Sequence, residues 1–279
     1  MLPWRRHSGS DMERRGMRPI GVFDSGVGGL TVVKELIRQL PDEDIVYFGD
    51  IARVPYGIKS KETIIRFSIE SILFLLKKGV KLICVACNTV SSVALPVISN
   101  HFKVPIVGVI IPGVREAVYA TQNKRIGVIG TRGTIRSKTY ENEIKQIDPK
   151  AKVVAVSCPL FVPFVEEGWT EGEVVSAVAR KYLKPLKDAG VDTVILGCTH
   201  YPILKPVIKK VMGEDVTLID SAKQVAMEVK KVLAEDGLLN RNRRAKHEFY
   251  VSDNPEWFSS LAKRFLGEPV SSAKKVDHV

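Results

Sequence analysis

The chain has 279 residues, 45% of them hydrophobic and 26% charged, a composition typical of one large or two medium globular domains. Lysine and arginine total 42 against 31 acidic residues, and the formal net charge of +11 permits acidic partners without identifying one. Four cysteines do not suggest a disulfide scaffold, and no apolar run approaches the roughly eighteen residues of a membrane span. We therefore expect reduced thiols, no membrane segment and a cytoplasmic location.

The excess of basic residues is concentrated in two stretches. Residues 1–18 contain five arginines against two acidic residues, and 241–246 reads RNRRAK. Neither stretch has interleaved aromatic residues or a nucleic-acid-binding motif, so we interpret them as a disordered N-terminal extension and a solvated loop. The N-terminus also lacks the apolar core of a signal peptide. Nucleic-acid binding through the extension stays the alternative function of a different class, one that would weaken steeply with salt.

Short apolar runs rich in Val and Ile recur along the chain and alternate with amphipathic stretches. LTVVKELIRQL, residues 30–40, is such a stretch, because its apolar residues share one helical face. Continuously apolar runs are typical of strands buried on both faces, and strands alternating with helices indicate parallel sheets covered by helices. The predicted class is therefore α/β, with strands at 20–24, 44–50, 81–87, 105–110, 125–130, 152–158, 192–198 and 216–220.

An internal repeat divides the chain into two halves. RPIGVFDS (18–25) aligns with KRIGVIGT (124–131), and GVKLICVACNTV (79–90) aligns with GVDTVILGCTHY (190–201), in the same order. We predict two similar doubly wound parallel-sheet domains related by a pseudo-twofold axis, with the active site in the cleft between them. With a boundary near Pro112–Gly113, the predicted segments are 19–112 plus 222–279 for one domain and 113–221 for the other.

Cys87 and Cys198 occupy matching places in the repeat, since each ends an apolar strand. Functional groups of open parallel sheets gather outside the carboxyl ends of the strands, so the two thiols are predicted to face each other across the cleft. One ionised and one protonated thiol can invert a carbon stereocentre, because one removes a proton and the other returns a proton to the opposite face. His200 would favour a thiolate at Cys198 as its hydrogen-bond partner.

Other interpretations of the cysteines stay open. Cys158 is predicted to be a core residue, as buried cysteines commonly are. Cys84 and Cys87 match the spacing of a CxxC redox pair, but side chains three positions apart in a strand point to opposite faces. Cys87, Cys198 and His200 would also serve as zinc ligands, although their spacing matches no common metal motif.

The segment FDSGVGGL, residues 23–30, combines a strand end, a glycine-rich turn and a helix start. Backbone N–H groups at such a helix start can bind an anion. The segment is neither a GK[ST] phosphate loop nor a complete GxGxxG motif, so a small carboxylate is favoured over a nucleotide. Asp24 would orient a thiol or an ammonium group there, or alternatively cap the helix.

Five motifs, taken together and in this order, resemble the glutamate racemase family: DSGVGG (24–29), PYG (55–57), ACNT (86–89), CPLFVPFVEEG (158–168) and GCTHYP (197–202). The resemblance covers about residues 18–267. It implies interconversion of L- and D-glutamate without a cofactor or metal, which supplies D-glutamate for bacterial peptidoglycan. It also implies two α/β domains with the active site between them, and usually a homodimer. Racemisation of aspartate or another acidic substrate is the neighbouring alternative.

The resemblance also implies catalytic roles at particular positions. Cys87 and Cys198 become the two acid/bases on either face of the substrate α-carbon. Asp24 would assist Cys87. Glu166 and His200 would assist Cys198.

Further implied roles concern register and substrate binding. Glu166 is chosen over Glu167 because the family has Val-Glu before a variable residue and a glycine. The positions implied to hold the substrate carboxylates and ammonium group are Asp24, Ser25, Tyr56, Gly57, Asn88, Thr89, Thr199 and His200, with Thr134 as a weaker candidate.

Overall fold

The structure is a computed structural model that describes residues 15–241, 244–270 and 272–276. The predicted extension lies outside the described residues for 1–14, as do two residues of the RNRRAK loop, 242–243. The strands of the described residues are β1 (Ile20–Asp24), β2 (Ile45–Gly49), β3 (Leu82–Val85), β4 (Ile106–Gly108), β5 (Arg125–Gly130), β6 (Lys152–Ser157), β7 (Thr193–Gly197), β8 (Thr217–Ile219), β9 (His247–Val251) and β10 (Ala273–Lys275).

Helices connect these strands and cover both faces of the sheets. In chain order they are α1 (Leu30–Gln39), α2 (Lys61–Lys77), α3 (Asn88–Val93), α4 (Leu95–Ile98), α5 (Ile110–Ala120), α6 (Arg132–Arg136), α7 (Thr139–Ile147), α8 (Phe161–Glu166), α9 (Glu173–Asp188), α10 (Lys205–Met212), α11 (Ser221–Glu235) and α12 (Pro255–Leu266).

The strands form two sheets, and every pairing within them is parallel. The first sheet has the order β10-β9-β2-β1-β3-β4, and the second has the order β6-β5-β7-β8. Apart from β9 and β10, both sheets therefore arrange their first four strands in the same way, as the internal repeat predicts. The α/β class and the two-domain architecture of parallel sheets are confirmed.

A shared apolar core lies between the two sheets. On β1, Ile20 and Val22 face this core, whereas Phe23 faces a second core on the other side of the first sheet. On β7, Val194 and Leu196 reach the shared core, and Ile195 belongs to a third core on the outer side of the second sheet. Strands buried on both faces explain the continuously apolar runs in the sequence.

The strands differ from the predicted runs chiefly at their ends. β3 ends at Val85 and β7 at Gly197, so Cys87 and Cys198 leave the sheets and enter the loops that follow. β10 was not predicted, because its sequence AKK has no apolar pattern. It pairs with β9 at the edge of the first sheet, where a short, charged strand is tolerated.

The inner end of the predicted extension is attached to the fold. Gly16 is buried, and its carbonyl accepts a hydrogen bond from Lys81 Nζ at 2.6 Å. The same ammonium group donates to Glu43 Oε2 at 2.5 Å and to the Leu238 carbonyl at 2.7 Å. A buried ammonium group needs hydrogen-bond acceptors, and Gly16 supplies one of them. This end of the extension is therefore attached to the fold, in contrast to the predicted disordered tail.

The sheet membership supports the predicted division of the chain into domains. β9 and β10 lie in the first sheet, in keeping with the assignment of 222–279 to the first domain. The boundary near Pro112–Gly113 falls inside α5 rather than in a loop. We therefore keep 19–112 plus 222–279 and 113–221 as the proposed domains.

Candidate active site

A cleft of about 610 Å³ opens between the two halves of the chain. Its walls include residues one or two positions after the ends of strands: Ser25 after β1, Cys87 after β3, Thr131 after β5 and Cys198 after β7. Carboxyl ends of parallel strands are where such folds place their functional groups. The two predicted thiols therefore lie in one cleft, each contributed by a different sheet.

The Cys87 side of the cleft is built mainly from hydroxyl groups and one buried carboxylate. Ser25 Oγ lies 3.3 Å from Cys87 Sγ. Burial raises the pKa of the Cys87 thiol to about 12, and the nearby Asp24 charge adds to this, although the Ser25 hydrogen bond acts in the opposite direction. The surroundings of Cys87 therefore favour the protonated thiol.

Asp24 holds the turn that follows β1. Its Oδ2 accepts a hydrogen bond from the Gly26 N–H at 3.0 Å, and α1 begins at Leu30, after an N-cap residue, Gly29, that provides no side-chain cap. The helix-capping alternative stays open, because the backbone N–H of Gly29, just before α1, also bonds to the Asp24 carboxyl. Burial raises the pKa of the Asp24 carboxyl, and the positive charge of His200 counteracts that effect.

On the opposite side, Cys198 faces a charged pair. Cys198 Sγ lies 3.9 Å from His200 Nδ1, and His200 Nε2 lies 2.9 Å from Glu166 Oε1. Burial alone would lower the pKa of His200, but the hydrogen bonds and negative charges of Cys198 and Glu166 raise it to about 10. The imidazole therefore carries a proton at neutral pH and places a positive charge beside Cys198.

Glu166 and Glu167 differ in their contacts and in their exposure. Glu166 is the last residue of α8, and its side chain reaches His200 from the end of that helix. Glu167 follows on the exposed side of the same turn. The ring of Phe265, from α12, packs edge-on against His200 with 5.1 Å between centroids. The imidazole is thus contacted by both proposed domains, since Glu166 lies in segment 113–221 and Phe265 in segment 222–279.

The glycine-rich turn packs closely against the loop that carries Cys198. The first N–H groups of α1 are bonded to carbonyls within the turn, for example from Thr31 to Gly28 at 3.0 Å. A Cβ added at Gly28 would lie 2.3 Å from Thr199 Oγ1 and 2.4 Å from His200 Nδ1. Glycine is therefore needed there because the loop that carries Cys198 packs directly on the turn.

Tyr56 and Gly57 line the cleft from the loop before α2. The Tyr56 hydroxyl donates a hydrogen bond to the buried Asp50 carboxylate. The hydroxyl is therefore already bonded within the protein, and Tyr56 lines the cleft with its other atoms. Gly57 lies against Thr131 of the other half, where an added Cβ would come within 2.7 Å of the threonine Cβ.

Asn88 and Thr89 begin α3 directly after Cys87, and both line the cleft. Thr89 Oγ1 lies 2.8 Å from Thr131 Oγ1 and 3.2 Å from Thr134 Oγ1. Thr134 itself is 1% exposed and lies behind Thr89, outside the residues that line the cleft.

Sequence reasoning missed several residues that line the cleft, among them Thr131, Arg132 and Tyr182. Thr131 and Arg132 belong to the segment GTRGT, in which only Thr134 was a candidate. Thr199, which was predicted, is found in the cleft beside Cys198.

The remaining cysteines lie in the core. Cys84, within β3, belongs to the shared core, whereas Cys87, two residues after the end of β3, belongs to the second core on the other side of the first sheet. Burial raises the pKa of Cys84 to about 12 and also raises that of Cys158. All four cysteines are free.

In the described parts of the chain, no three His, Cys, Asp or Glu side chains are grouped so that they could hold a metal ion, so the zinc alternative gains no support. Among the same residues, no helix is both long and apolar enough to cross a membrane.

Comparison with known proteins identifies relatives along most of the chain. Residues 20–229 match the family model of the Asp/Glu/hydantoin racemases. The chain is 51% identical over 260 residues to the glutamate racemase of Geobacter metallireducens, an alignment that covers 93% of this chain and 96% of the relative.

Solved structures agree with this result. A glutamate racemase isoform of Bacillus anthracis superposes with a TM-score of 0.90 at 43% identity, covering 93% of this chain and 97% of that one. The glutamate racemase of Francisella tularensis in complex with D-glutamate superposes with a TM-score of 0.89 at 42% identity, covering 94% and 98%. The chain therefore belongs to the Asp/Glu/hydantoin racemase family and is an amino-acid racemase.

Proposed function

We propose that the protein interconverts L- and D-glutamate by a two-base mechanism in which Cys87 and Cys198 are the acid/bases, with no cofactor. The observation that carries this proposal is the position of the two thiols, which come from two similar sheets and line one cleft. The relatives support glutamate as the substrate, since they are glutamate racemases and one of them is complexed with D-glutamate.

The proton transfers balance within the two thiols. The thiolate of one cysteine takes the α-proton as the C–H bond breaks, and the electron pair stays on the α-carbon and its carboxylate. The opposite thiol then donates its proton to the other face of the carbon and becomes the new thiolate. For the reverse reaction the two cysteines exchange roles.

The neighbours of each thiol support a definite resting state. The protonated His200, held by Glu166, places a positive charge beside Cys198, which we propose starts as the thiolate. Burial and Asp24 raise the pKa of Cys87, which therefore starts as the proton donor. We propose that Asp24 assists Cys87, and that Glu166 and His200 assist Cys198.

Substrate binding is proposed for the polar groups around the thiols. Ser25, Asn88, Thr89 and Thr199 line the cleft with side chains that can bond carboxylates or an ammonium group. Tyr56, Gly57 and His200 complete the wall, and Asp24 would act from just outside the lining residues. Thr134 acts through Thr89 in this proposal, because it lies behind that residue.

We also propose the wider role that the family resemblance implies. The product D-glutamate would supply peptidoglycan synthesis in the cytoplasm, and the protein would act as a homodimer. Rescue of a D-glutamate-requiring bacterial strain and light scattering of the purified protein test these two points separately.

Exchange of the α-proton in D₂O, followed by NMR for L- and D-glutamate without added cofactor, tests the mechanism. We expect the wild type to incorporate deuterium with inversion, and Cys87→Ser and Cys198→Ser to lose inversion. Each variant keeps one base on one face of the α-carbon, so any residual exchange should occur without inversion. One variant should exchange the proton of L-glutamate and the other that of D-glutamate.

Cys84→Ala is the matched control, since its thiol lies in the shared core, outside the residues that line the cleft, and should not be needed for exchange. Inversion that persists in Cys87→Ser or Cys198→Ser would contradict the two-base proposal. A wild type that acts on aspartate but not on glutamate would contradict the proposed substrate alone.

A further inference from the structure

A hydrogen bond crosses from the second half of the chain to the residue that follows Cys87. Tyr140, near the start of α7, donates from its hydroxyl to Asn88 Oδ1 at 2.6 Å. Tyr140 is 2% exposed and lies outside the residues that line the cleft, whereas Asn88 lines it. The proposed proton transfers do not use Tyr140.

This bond determines which end of the Asn88 amide faces the cleft. A side-chain amide has one oxygen that accepts and one NH₂ group that donates two hydrogen bonds. Tyr140 occupies the oxygen, and burial raises the pKa of its hydroxyl, so that it stays a donor at neutral pH. Within the part of the chain that the structure describes, the Asn88 NH₂ group makes no hydrogen bond to protein.

Several hydroxyls of the second half hold the same stretch of α3. Thr131 and Thr134 bond to the hydroxyl of Thr89, the residue after Asn88. Thr139, the neighbour of Tyr140, donates to the Ser92 carbonyl at 2.7 Å. The start of α3 is thus fixed across the cleft by side chains that are themselves buried or partly buried.

We propose that Tyr140 is a positioning residue, which holds Asn88 so that its NH₂ group donates to a carboxylate of the substrate. The inference rests on the proposed function, since it requires an acidic amino acid in the cleft. In an amide that rotated freely, the oxygen would meet the carboxylate for part of the time and repel it.

A double-mutant cycle of Tyr140→Phe and Asn88→Ala tests this inference through the kinetics of both enantiomers. We expect Tyr140→Phe to raise the KM for L- and D-glutamate about three- to tenfold, the range of a net hydrogen bond, with a smaller change in kcat. In the Asn88→Ala background the same substitution should change KM less than about twofold, because its effect passes through Asn88.

Tyr201→Phe is the matched control. Its hydroxyl is equally buried and donates to the Cys158 carbonyl at 2.8 Å, away from Asn88. The fold-change in KM caused by Tyr201→Phe should be the same in the wild-type and Asn88→Ala backgrounds, because the two residues are not in contact. Equal effects of Tyr140→Phe in both backgrounds would overturn the inference.

Asn88→Asp provides a test that leaves Tyr140 unchanged. Aspartate still accepts from Tyr140 but lacks the NH₂ group, so we expect KM to rise at least as much as in Asn88→Ala. A KM like that of the wild type would overturn the inference. A wild type without activity on glutamate would overturn the proposed function and the inference with it, whereas an active wild type with additive effects would overturn the inference alone.

Discussion

The two sides of the cleft place the same thiol at the same point of two similar sheets, yet they surround it with different groups. Cys87 has the neutral Ser25 hydroxyl beside it and a buried carboxylate, Asp24, nearby. Cys198 has a protonated imidazole that is itself held by Glu166. An equivalent position in a repeated fold therefore does not imply an equivalent electrostatic environment, because different charged groups surround the two thiols.

The largest effect on this comparison should come from His200→Asn. The substitution keeps a polar side chain but removes the cation beside Cys198, so we expect kcat/KM to fall about 10²–10⁴-fold, the usual contribution of acid–base assistance. The fall must be equal for both enantiomers, because the equilibrium constant between mirror-image substrates is one. Steady-state racemisation rates in both directions measure it, and a loss below tenfold would show that Cys198 does not depend on its charged neighbour.

Glu166→Gln and Ser25→Ala compare the supporting groups on the two sides. We expect Glu166→Gln to lower kcat/KM about tenfold and Ser25→Ala about threefold, because hydrogen bonds between charged groups are roughly twice as strong as neutral ones. Glu167→Gln is the matched control for the first variant, since that side chain is exposed and is the neighbour of Glu166. If Ser25→Ala lowered kcat/KM more than Glu166→Gln does, the Cys87 side would depend on its neighbour more than the Cys198 side, contrary to the proposal.

A smaller effect is expected in the pH dependence of stability. The pKa of His200 is raised from 6.5 to about 10 in the folded protein, so this group's stabilisation is complete below pH 6.5 and is lost as the pH rises towards 10. The free energy of unfolding attributable to His200 should decline by about 1 kcal/mol per pH unit across that window.

Urea unfolding of the wild type and His200→Asn at pH 7, 8 and 9 measures that decline. The stability difference between the two proteins should shrink as the pH rises. A difference that is constant or grows would mean that His200 is neutral in the folded protein.

Much of the fold was predictable because strands buried on both faces must be continuously apolar. The eight predicted runs correspond to β1–β8, and EFYVSD, which was expected to pack back onto one domain, contains most of β9. β10 was missed because an edge strand of three residues carries no such pattern. The glycine-rich turn was recognised as a strand-to-helix turn, but the close approach of Thr199 and His200 that requires Gly28 comes from 170 residues further along the chain.

The candidate site likewise has features that local sequence predicts and contacts that depend on the packing of distant segments. The sequence by itself determined the two strand-end thiols and the polar residues next to them, since local patterns and family motifs identify these positions. Only the tertiary structure decided the contacts between distant segments: Glu166 on His200, Thr131 on Thr89 and Tyr140 on Asn88. These contacts carry no local signal, because a hydrogen bond across the cleft depends on how the two sheets pack, and the residues that make it resemble ordinary turn and core residues until they are packed.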